Sequence, residues 1–301
     1  MSGRMEEMEV FARIYESGSL SAAAQILGLT PSGVSRILKR LEGRLGAQLF
    51  HRDSRNVQPT AEGDVFYEQA LDVMQSLENA EAAVSSAHGR HTVLRVNTLP
   101  TFAVYQLAPL MPEFHARHPN VKVEFILGAA PANVVGQRID VAMYAGRQRD
   151  SSLVARRLSS IRWKLVASPA YLARYGTPRE PSELVNHRCL NFTLSTQWNI
   201  WRFRAPHFSA YRPAAIMGAD HGEMLMQLAL ADMGIARLAD FHIHQAYRDG
   251  RLVPVLDGLL DERDEPLYML YRARSGTTQR IAAWADFMLE KFGGTPPWRS
   301  S

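Results

Sequence analysis

Positive charge is concentrated in one short part of the 301-residue sequence, residues 31–60. This basic block holds six arginines and lysines against two acidic residues, whereas residues 61–88 hold six acidic residues and no arginine or lysine. Contacts with nucleic-acid phosphates need positive charge clustered on one face, so the block is more informative than the net charge of +4. In isolation, the block would be better interpreted as a solvated helix face.

The basic block is predicted to lie on the second helix of a helix-turn-helix. Ser19 is a suitable N-cap for a short helix that ends at Gly28. Thr30 and Pro31 then begin the next helix, because proline fits the first helical position, where its missing N–H has no partner to lose. Two compact helices joined by a short turn with a glycine form this motif. The second helix has an apolar stripe at intervals of four, three and four residues: Val34, Leu38, Leu41 and Leu45.

The opposite face of this second helix carries side chains that bind bases and phosphates. Residues near the start of such a helix reach the base edges, and arginine pairs with guanine through two hydrogen bonds, which favours Ser32, Ser35 and Arg36 as base contacts. Lys39 and Arg40 are predicted to bind phosphates. The polar stretch HRDSRNVQPT is short enough for a two-stranded wing, and its two arginines are predicted either to bind phosphates or to enter the minor groove. The predicted DNA-contacting residues are Thr30, Ser32, Ser35, Arg36, Lys39, Arg40, Arg52 and Arg55.

A long acidic helix that begins near Thr60 has the apolar spacing of a coiled coil, with intervals that alternate between four and three. Such a helix between two domains favours a dimerisation arm. The alternative is an amphipathic helix that lies on its own domain, which would usually have a wider apolar face. The seam contains Phe66, Ala70, Val73, Leu77, Ala80, Val84 and Ala87, and the predicted dimer contacts are Phe66, Val73, Leu77 and Val84.

The rest of the chain, after a hinge at residues 85–91, alternates between predicted strands and helices. TVLRVNTL is a strand, FAVYQLAPLMPEFHARH a helix, VKVEFIL a strand, ANVVGQRI a helix and DVAMYA a strand. The alternation continues through WKLVAS, PAYLARYG, CLNFTL, GEMLMQLALADMG and IARLA to PLYMLYR and a terminal helix from about 277 to 292. A run of βα units predicts a mainly parallel sheet with helices on its faces.

One strand end is the best candidate for a small-molecule site. Ligands of open α/β sheets bind at the carboxyl ends of strands, often beside helix N-termini, and Asn97–Phe102 is such a place. The hydroxyl and backbone N–H of Thr101 would suit a carboxylate, and the excess of eight basic residues after residue 88 favours an anionic ligand. For the other candidates, a helix cap or a core residue is an equally good interpretation. The predicted ligand contacts are Thr98, Pro100, Thr101, Phe102, Asn191, Asp220 and His221.

Catalytic and metal-binding chemistry has little support in the sequence. His242 and His244 are two residues apart, which points them to different faces of a helix, so a solvated or partly packed pair is the better interpretation. Cys189 lies in a strand-like segment without an activating motif, which predicts a buried, inert thiol. No glycine-rich phosphate loop or nucleophile elbow is present. We therefore predict no catalytic residue, no metal site and no cofactor.

The sequence also gives no sign of a membrane or secreted protein. No apolar run approaches the roughly 20 residues that span a bilayer. The first residues, MSGRMEEMEVF, are acidic after Arg4 and lack the apolar core of a signal peptide. A single cysteine rules out an intramolecular disulfide and fits a reducing compartment. We expect a cytoplasmic protein with no membrane partner.

The segment SGSLSAAAQILGLTPSGVSRILKRLEGRLGAQLFHRDSRNVQPTAEG resembles the winged helix-turn-helix of LysR-type transcriptional regulators. Several pairs match that family's pattern in order, among them Ser35-Arg36, Leu41-Glu42 and Leu49-Phe50. Later segments such as LAPLMPEFHARHPNVKVE, LVASPAYLARYGTP and MGIARLADF resemble the family's effector domain, so the resemblance covers nearly the whole chain. Pro31 and Gly33 depart from the family's usual glutamine and alanine, and both positions bear on base preference.

The resemblance implies a sequence-specific DNA-binding transcriptional regulator, not an enzyme, whose activity a small and anionic effector modulates from between two subdomains. It further implies a homodimer or homotetramer on an interrupted palindromic operator, and contact with RNA polymerase. The implied fold is mixed. Its parts are an all-α winged helix-turn-helix domain (1–60), a linker and dimerisation helix (61–88) and an α/β domain like that of periplasmic binding proteins (89–301), with one subdomain at about 92–165 and 266–293 and the other at about 166–265.

A second class of function is a solute-binding or enzymatic α/β protein with an incidental helical domain at its N-terminus. The two classes assign the essential chemistry to different parts of the chain. Specific, salt-sensitive DNA binding would support the regulator, whereas catalysis that survives deletion of residues 1–88 would support the alternative.

Overall fold

A computed structural model describes the chain over residues 2–52, 57–86, 92–128, 139–146, 153–194, 196–204, 208–261, 263–272 and 279–299. The chain folds into two compact units, and the first division between them falls after Arg95, inside a strand. The first unit also contains Asn120–Val123 and the described residues Ile139 and Asp140. All other described residues belong to the second unit.

The first unit begins with three helices, whose ends lie at the capping residues that the sequence predicts. The Ser19 hydroxyl accepts a hydrogen bond from the N–H of Ala22, and the Thr30 hydroxyl accepts one from the N–H of Gly33 at 3.1 Å. Gly28 ends its helix in the left-handed region, with φ of 66°, which glycine adopts without strain. The helices are α1 (Ser2–Ser17), α2 (Leu20–Leu27) and α3 (Pro31–Leu45), which confirms the helix-turn-helix.

The apolar stripe of α3 is buried in the core of this unit, with one exception. Val34, Leu38 and Leu41 are buried as predicted. Leu45 is 39% exposed, so the prediction is wrong there, at the last residue of the helix. Ile37 is buried although the stripe omits it, since the apolar face is wider than one residue at each turn.

A two-stranded wing and a long helix follow α3. The wing consists of β1 (Phe50–Arg52) and β2 (Val57–Pro59), which pair antiparallel, as the sequence predicts. The long helix, α4 (Ala61–Ser86), begins at Thr60, whose hydroxyl accepts a hydrogen bond from the N–H of Gly63. A Cβ added at Gly63 would lie 2.2 Å from the carbonyl oxygen of Leu49, so only glycine allows the wing and α4 to approach this closely.

One face of α4 belongs to the core of the first unit. Its Tyr67 ring stacks on Tyr15 with centroids 3.8 Å apart, and the Tyr15 hydroxyl donates a hydrogen bond to Asp64 at 2.8 Å. The helix therefore lies on its own domain along this face, as the alternative interpretation of the sequence proposes. The buried residues of this face are Tyr67, Ala70, Leu71 and Met74.

Strands and helices alternate through the rest of the chain, largely as predicted. The predicted helix ANVVGQRI lies almost entirely outside the described residues. In chain order the elements are β3 (Thr92–Thr98), α5 (Pro100–Phe102), α6 (Met111–Arg117), β4 (Val121–Leu127), β5 (Val141–Ala145), β6 (Leu153–Ile161), β7 (Trp163–Ala167), α7 (Pro169–Tyr175), β8 (Cys189–Phe192), β9 (Trp201–Arg202), β10 (Ala210–Tyr211), β11 (Ala215–Ala219), α8 (Gly222–Leu230), β12 (Ile235–Ala239), α9 (Asp240–Arg248), β13 (Val253–Pro254), β14 (Glu265–Arg272) and α10 (Gln279–Phe292).

These strands form two five-stranded sheets, with the orders β4-β3-β5-β14-β6 and β11-β8-β12-β7-β13. Within them β3 and β5 are parallel, as are β8, β11 and β12, but β14 and β7 run antiparallel to their neighbours. The strands whose directions these pairings give are mainly parallel, as predicted, but they form two sheets and each sheet has one strand, β14 or β7, that runs against the others. The reason is that the chain passes from one sheet to the other directly, from β6 to β7 and again into β14, without a crossover helix that would restore its direction.

The helical segment between β3 and β4 is less regular than the single helix that the sequence predicts. It contains α5, a π-helical turn (Ala103–Leu107), a 3-10 turn (Ala108–Leu110) and α6. Pro109 and Pro112 lie in this segment, and neither can donate the backbone hydrogen bond of a regular helix. The π-helical turn directly follows the residues that begin the segment at the end of β3, and such turns are frequent at functional sites.

Candidate functional site

The exposed face of α3 carries basic side chains without protein partners. Arg36 and Lys39 are exposed, and neither forms a hydrogen bond or an ion pair with any described residue. Ser32 is also exposed, and its hydroxyl lies 3.2 Å from the capping hydroxyl of Thr30. Ser35 is half-buried. This face therefore offers two free cations and two hydroxyl groups to an anionic partner.

Arg40 is on the same helix but is engaged within the protein. Its Nε donates a hydrogen bond to Glu7 at 2.6 Å and its Nη2 pairs with Glu6 at 3.2 Å, while Arg44 also binds Glu7 at 2.8 Å. Burial would raise the pKa of Glu7, but the hydrogen bonds from Arg44 and Arg40 outweigh burial and lower that pKa. The phosphate contact of Arg40 stays a prediction, and its guanidinium would have to serve Glu7 and DNA together.

The two wing arginines differ in what the structure describes. Arg52 is the last residue of β1 and pairs with Val57 across the wing, although its side chain lies outside the described part of the structure. Arg55 lies wholly outside the described residues. Both phosphate contacts therefore stay predictions.

The predicted dimer seam on α4 divides into two groups. Phe66 packs inside its own unit, with its ring centroid 5.0 Å from that of Phe11. Val73 and Leu77 are 46% and 41% exposed. The side chain of Val84 is not among those described. Val73 and Leu77 thus form the exposed part of the seam.

In the second unit, an apolar cavity of about 540 Å³, counting the space at its mouth, is lined from both five-stranded sheets. Aromatic and aliphatic side chains dominate the lining, and no arginine or lysine is among the described residues that line it. The lining residues are Leu99, Pro100, Thr101, Ala145, Ile161, Trp163, Phe192, Trp198, Asp220, His221, Gly222, Leu238, Ala239, Phe241 and His242.

The cavity brings together four of the seven predicted ligand contacts. Pro100 and Thr101 come from the start of the helical segment after β3, and Asp220 and His221 from the turn before α8. These two turns are 120 residues apart in the sequence, taking Pro100 to Asp220. Both follow the carboxyl ends of strands, where ligands of α/β sheets bind.

The other three predicted contacts do not line the cavity. The Thr98 hydroxyl is buried and donates a hydrogen bond to the carbonyl of Met143 at 2.9 Å, which holds β3 against β5. Phe102 is buried among aromatic rings of the core. The Asn191 amide donates to the carbonyl of Pro213 at 3.3 Å. For these residues the core or structural interpretation holds.

Two polar side chains of the cavity have no partner in the described part of the protein. Thr101 is buried, yet its hydroxyl forms no hydrogen bond with a described residue. It does not cap its helix either, because the capping position is Leu99, which has no side-chain hydrogen bond. His221 precedes α8 and likewise neither caps that helix nor contacts another described polar group. Both groups are free to bind a ligand.

Sequence reasoning missed most of the aromatic residues that give the cavity its character. Trp163 and Trp198 have ring centroids 5.3 Å apart, and Phe192, which is adjacent in the sequence to the predicted contact Asn191, lies 5.4 Å from Trp198. Phe241 and His242 at the start of α9 complete this wall. The one sequence signal for this wall was that several aromatic residues begin or follow predicted strands. Such residues are equally typical of an ordinary hydrophobic core, so the signal does not indicate a ligand site.

His242 is buried, so the prediction of a solvated or partly packed pair is wrong for it. It is 3% exposed, and its Nε2 lies 3.2 Å from Oε2 of Glu223 on α8. The hydrogen bond from His242 is the largest of several that lower the pKa of Glu223 to about 2. The Tyr105 hydroxyl donates to the other Glu223 oxygen at 3.1 Å, and burial followed by this hydrogen bond raises the pKa of Tyr105 to about 12. His244 is half-buried, as predicted.

A half-buried cation, Arg237, lies against one ring of the aromatic wall. The Arg237 guanidinium is 4.8 Å from the centroid of the Trp163 ring and donates a hydrogen bond to the carbonyl of Trp198 at 2.9 Å. Burial lowers the pKa of Arg237 to about 10. A cation over the face of an indole is attracted by the ring's electron density. The positive charge of Arg237 therefore lies next to the aromatic lining of the cavity.

Other reactive groups show no arrangement that would support catalysis. Cys189 is buried, and burial raises the pKa of its thiol to about 12, so it stays protonated at neutral pH. The described residues contain no group of three or more histidine, cysteine or carboxylate side chains placed to bind a metal ion. Within the same residues, no helix has both the length and the apolar character needed to cross a membrane.

Comparison with known protein families gives two matches along the chain. Residues 5–64 match the model described as "Bacterial regulatory helix-turn-helix protein, lysR family". Residues 87–293 match the "LysR substrate binding domain". The HTH-type transcriptional regulator CrgA of Neisseria meningitidis serogroup C (strain 8013) is 34% identical, over 97% of this chain and 98% of CrgA. The similarity thus includes both the helix-turn-helix and the α/β part.

Solved structures agree with these matches. The structure of CrgA, a LysR-type transcriptional regulator, aligns with a TM-score of 0.65 at 33% identity and covers 96% of this chain and 99% of its own. The full-length structure of the Vibrio cholerae virulence activator AphB aligns with a TM-score of 0.64 at 21% identity, over 95% and 99% of the two chains, and supports the fold alone. The family comprises transcription factors and not enzymes. The chain belongs to the LysR family and is a DNA-binding transcriptional regulator with a substrate-binding domain.

Proposed function

We propose that this regulator reads a specific operator through α3 and that a small aromatic acid in the apolar cavity controls its activity. The proposal for α3 is supported by the free, exposed side chains of Arg36 and Lys39 beside Ser32. In this motif, the start of the recognition helix meets the base edges and its later residues meet phosphates. Ser32, Ser35 and Arg36 would therefore read bases, while Lys39 binds the backbone together with Arg52 and Arg55 of the wing.

Dimerisation through α4 would bring two copies of α3 to one operator. Val73 and Leu77 expose apolar surface at a spacing of four residues along α4, as one edge of a coiled-coil seam requires. A twofold dimer matches an operator whose half-sites are inverted repeats separated by a spacer. Pairs of dimers would form a tetramer through the α/β part, and the bound assembly would contact RNA polymerase in the cytoplasm.

The effector proposal rests on one observation: the cavity combines a wall of aromatic rings with two unpartnered polar groups, Thr101 and His221. A planar ring would pack against Trp163, Trp198 and Phe241, which supply apolar surface on one side. Its ionised acidic group would accept one hydrogen bond from the Thr101 hydroxyl and another from the His221 ring. Hydrogen bonds to ionised groups are roughly twice as strong as neutral ones.

The preference for an anion is supported by charge at longer range. The described lining has no arginine or lysine, and it includes the carboxylate of Asp220. Two sources of positive charge oppose that carboxylate: the half-buried Arg237, which contacts the Trp163 ring, and an excess of eight basic residues after residue 88. An effector that spans both sheets would favour one arrangement of them, and that preference would shift the regulator between its active and inactive states.

Identification of the operator tests the DNA part of this proposal. Purified full-length protein would be incubated with fragmented genomic DNA, and the bound fragments sequenced. We expect a shared interrupted palindrome, with an affinity that falls steeply as salt is raised, because bound phosphates release counterions. Fragments without a common motif, bound only through a salt-dependent interaction, would contradict specific reading by α3.

Tryptophan fluorescence tests the effector part, because Trp163 and Trp198 line the cavity. The probes are benzoate, benzyl alcohol, which keeps the ring without the charge, and butyrate, which keeps the charge with a short aliphatic chain. We expect saturable quenching with benzoate at the lowest concentration of the three. Equal responses to benzoate and benzyl alcohol would contradict the anion preference, and no response to either aromatic probe would contradict an aromatic effector.

A further inference from the structure

Helix α9 lines two cavities. One is the apolar cavity proposed to bind the effector, called the effector cavity from here on, and the other is a second cavity. Phe241 and His242 at the start of α9 line the effector cavity, whereas Ile243, His244, Tyr247 and Arg248 line the second. These four residues form two pairs spaced four apart, so they make one continuous stripe on a helix. The second cavity measures about 860 Å³ with its open mouth included, and strand β7 and the turn after α10 complete its walls.

The second cavity differs from the first in its charge. Four basic side chains line it, namely Arg162, Lys164, Arg248 and Arg299, against a single lining carboxylate, Asp240. This composition contrasts with the effector cavity, where no arginine or lysine is among the described lining residues. Of these two cavities, the second is the one whose described lining offers an anion direct contact with arginine and lysine.

Most of these cations already have carboxylate partners. Arg162 binds Asp264 at 2.6 Å, and Lys164 binds Asp257 at 2.9 Å. Arg299 bridges Asp240 and Asp264. With three carboxylates among these groups, the four cations leave an excess of one positive charge, which suits a monoanion.

The excess charge is carried by Arg248. Its guanidinium is exposed and forms no ion pair or hydrogen bond with any residue that the structure describes. A guanidinium presents its donors as a planar fork that binds a carboxylate, phosphate or sulfonate through two parallel hydrogen bonds. The same stripe of α9 supplies apolar surface from Ile243 and Tyr247, and Trp298 supplies more from the C-terminal turn.

We propose that the second cavity binds a small organic monoanion with a planar, apolar body, and that Arg248 holds its charged group. The cavity is a second ligand site, separate from the effector site on the other side of α9. The existence of this site does not depend on the function proposed for the effector cavity.

A ligand in the second cavity would influence the first through shared walls. The Trp298 ring lies 6.1 Å from Phe241, a residue of the effector cavity, and 5.9 Å from Phe102 beside Thr101. Arg299 also binds Asp240, the first residue of α9. Any ligand that shifts Trp298 or α9 therefore shifts Phe241. This coupling rests on the proposed effector function.

Calorimetry of the full-length protein with benzenesulfonate tests the site, because this probe keeps a single negative charge at all working pH values. We expect Arg248→Ala to weaken its binding by about tenfold or more, as loss of a bidentate charged contact would. Arg248→Lys should restore part of the affinity. Arg251→Ala is the matched control, since Arg251 is an exposed cation just beyond α9 that does not line the cavity.

The outcomes separate this site from the effector site. Weaker binding in Arg248→Ala with unchanged binding in Thr101→Val supports the second cavity, whatever the effector proves to be. Weaker binding in Thr101→Val alone overturns the second site and leaves the effector proposal intact. Equal losses in Arg248→Ala and Arg251→Ala indicate surface charge only and overturn it, as does a wild-type protein that binds no benzenesulfonate.

The coupling between the two cavities is tested by titration with benzoate in the presence and absence of saturating benzenesulfonate. Tryptophan fluorescence measures the binding of benzoate. We expect benzenesulfonate to change the benzoate affinity by roughly threefold or more in the wild type, a modest coupling free energy for two sites. The change should disappear in Arg248→Ala. A change that persists in Arg248→Ala would mean competition inside the effector cavity and would overturn the coupling.

Discussion

His242, which lines the effector cavity, forms a hydrogen bond of 3.2 Å with Glu223 of helix α8. The backbone beside them is closely fitted, because a Cβ added at Gly222 would lie 3.4 Å from the His242 ring. The second Glu223 oxygen accepts the hydroxyl of Tyr105, which comes from the helical segment after β3. The carboxylate of Glu223 therefore connects His242 in the cavity lining to the helical segment that carries Thr101.

We predict that Glu223→Gln reduces stability above about pH 4.5 and that the difference from the wild type shrinks in acid. The folded state lowers the pKa of this carboxyl group from 4.5 to about 2, mainly through the hydrogen bond with His242. The stabilisation is therefore complete above the unfolded pKa and is lost as the pH falls toward the folded one. Urea unfolding at a series of pH values measures it.

Asp286→Asn is the control for Glu223→Gln, since Asp286 is largely exposed and has only a long ion pair of 3.9 Å with Arg156. This variant should keep the pH profile of the wild type. A difference between Glu223→Gln and wild type that stays constant from pH 6 to pH 3 would show that the carboxylate charge is not what stabilises this network.

We predict that Arg36→Ala and Lys39→Ala affect DNA binding in different ways, although both side chains are exposed on α3. Loss of Arg36 should weaken operator binding by about 1–3 kcal/mol and relax the preference at one base pair of each half-site. Loss of Lys39 should weaken all sequences alike and reduce the salt dependence. Fluorescence anisotropy with operator and scrambled duplexes measures both. A uniform loss in Arg36→Ala would remove it as a base reader.

We predict that Arg40→Ala lowers stability as well as DNA affinity. Its guanidinium binds Glu7, a buried carboxylate that would lose one of its two arginine partners. Leaving a buried charge with fewer partners is unfavourable. The urea midpoint should therefore fall in Arg40→Ala and stay near that of the wild type in Lys39→Ala. Equal midpoints in the two variants would mean that Arg44 alone satisfies Glu7.

We predict that Leu77→Asp produces monomers with poor operator affinity, because it puts a charge into the exposed seam of α4. Val65→Asp is the matched control: Val65 lies on the same helix and is 65% exposed, but it is outside the seam spacing. Light scattering should show a smaller particle for Leu77→Asp alone. An unchanged particle for this variant would place the dimer contact elsewhere.

We predict that Thr101→Val weakens the response to the effector while DNA affinity without effector is nearly unchanged. The substitution keeps the shape of the side chain and removes a hydroxyl that has no partner among the described residues. The loss of one hydrogen bond to a charged group corresponds to about tenfold in affinity or somewhat more. Calorimetry with benzoate measures it first, and with the physiological effector once it is known. Equal affinities would show that the ligand does not use this hydroxyl.

Local signals in the sequence predict the N-terminal unit well. Caps such as Ser19 and Thr30 act within one turn of helix, so their effect can be read from neighbouring residues. The sheets are different, because pairing of β14 with β5 and β6 depends on contacts between residues more than a hundred positions apart. Strand direction in such a sheet has no local signature, which is why the mixed topology could not be predicted.

The ligand site was predictable only at its strand ends. Thr101 and His221 follow strands directly, and the rule that ligands bind at carboxyl ends of strands finds them. Trp163 and Trp198 reach the cavity from a strand start and an irregular turn, where the same residue types usually fill a core. The ion pair of Arg40 had no local signal either, because the buried carboxylate of Glu7 that binds it comes from α1, 33 residues earlier in the chain.

The packing of α4 determines how the two DNA-reading parts of a dimer would be spaced. Tyr67, Leu71 and Met74 are part of the core of the first unit. The first half of α4 therefore cannot rotate relative to α3 without disrupting that core. The free length of the arm therefore begins after Met74 and extends to Ser86, roughly 18 Å at 1.5 Å for each residue. In the proposed dimer, one residue inserted after Met74 would turn the partner by about 100° relative to α3. The length of this stretch of α4 would thus set the distance between the two half-sites. An insertion there would change that distance while the sequence of α3 stays the same.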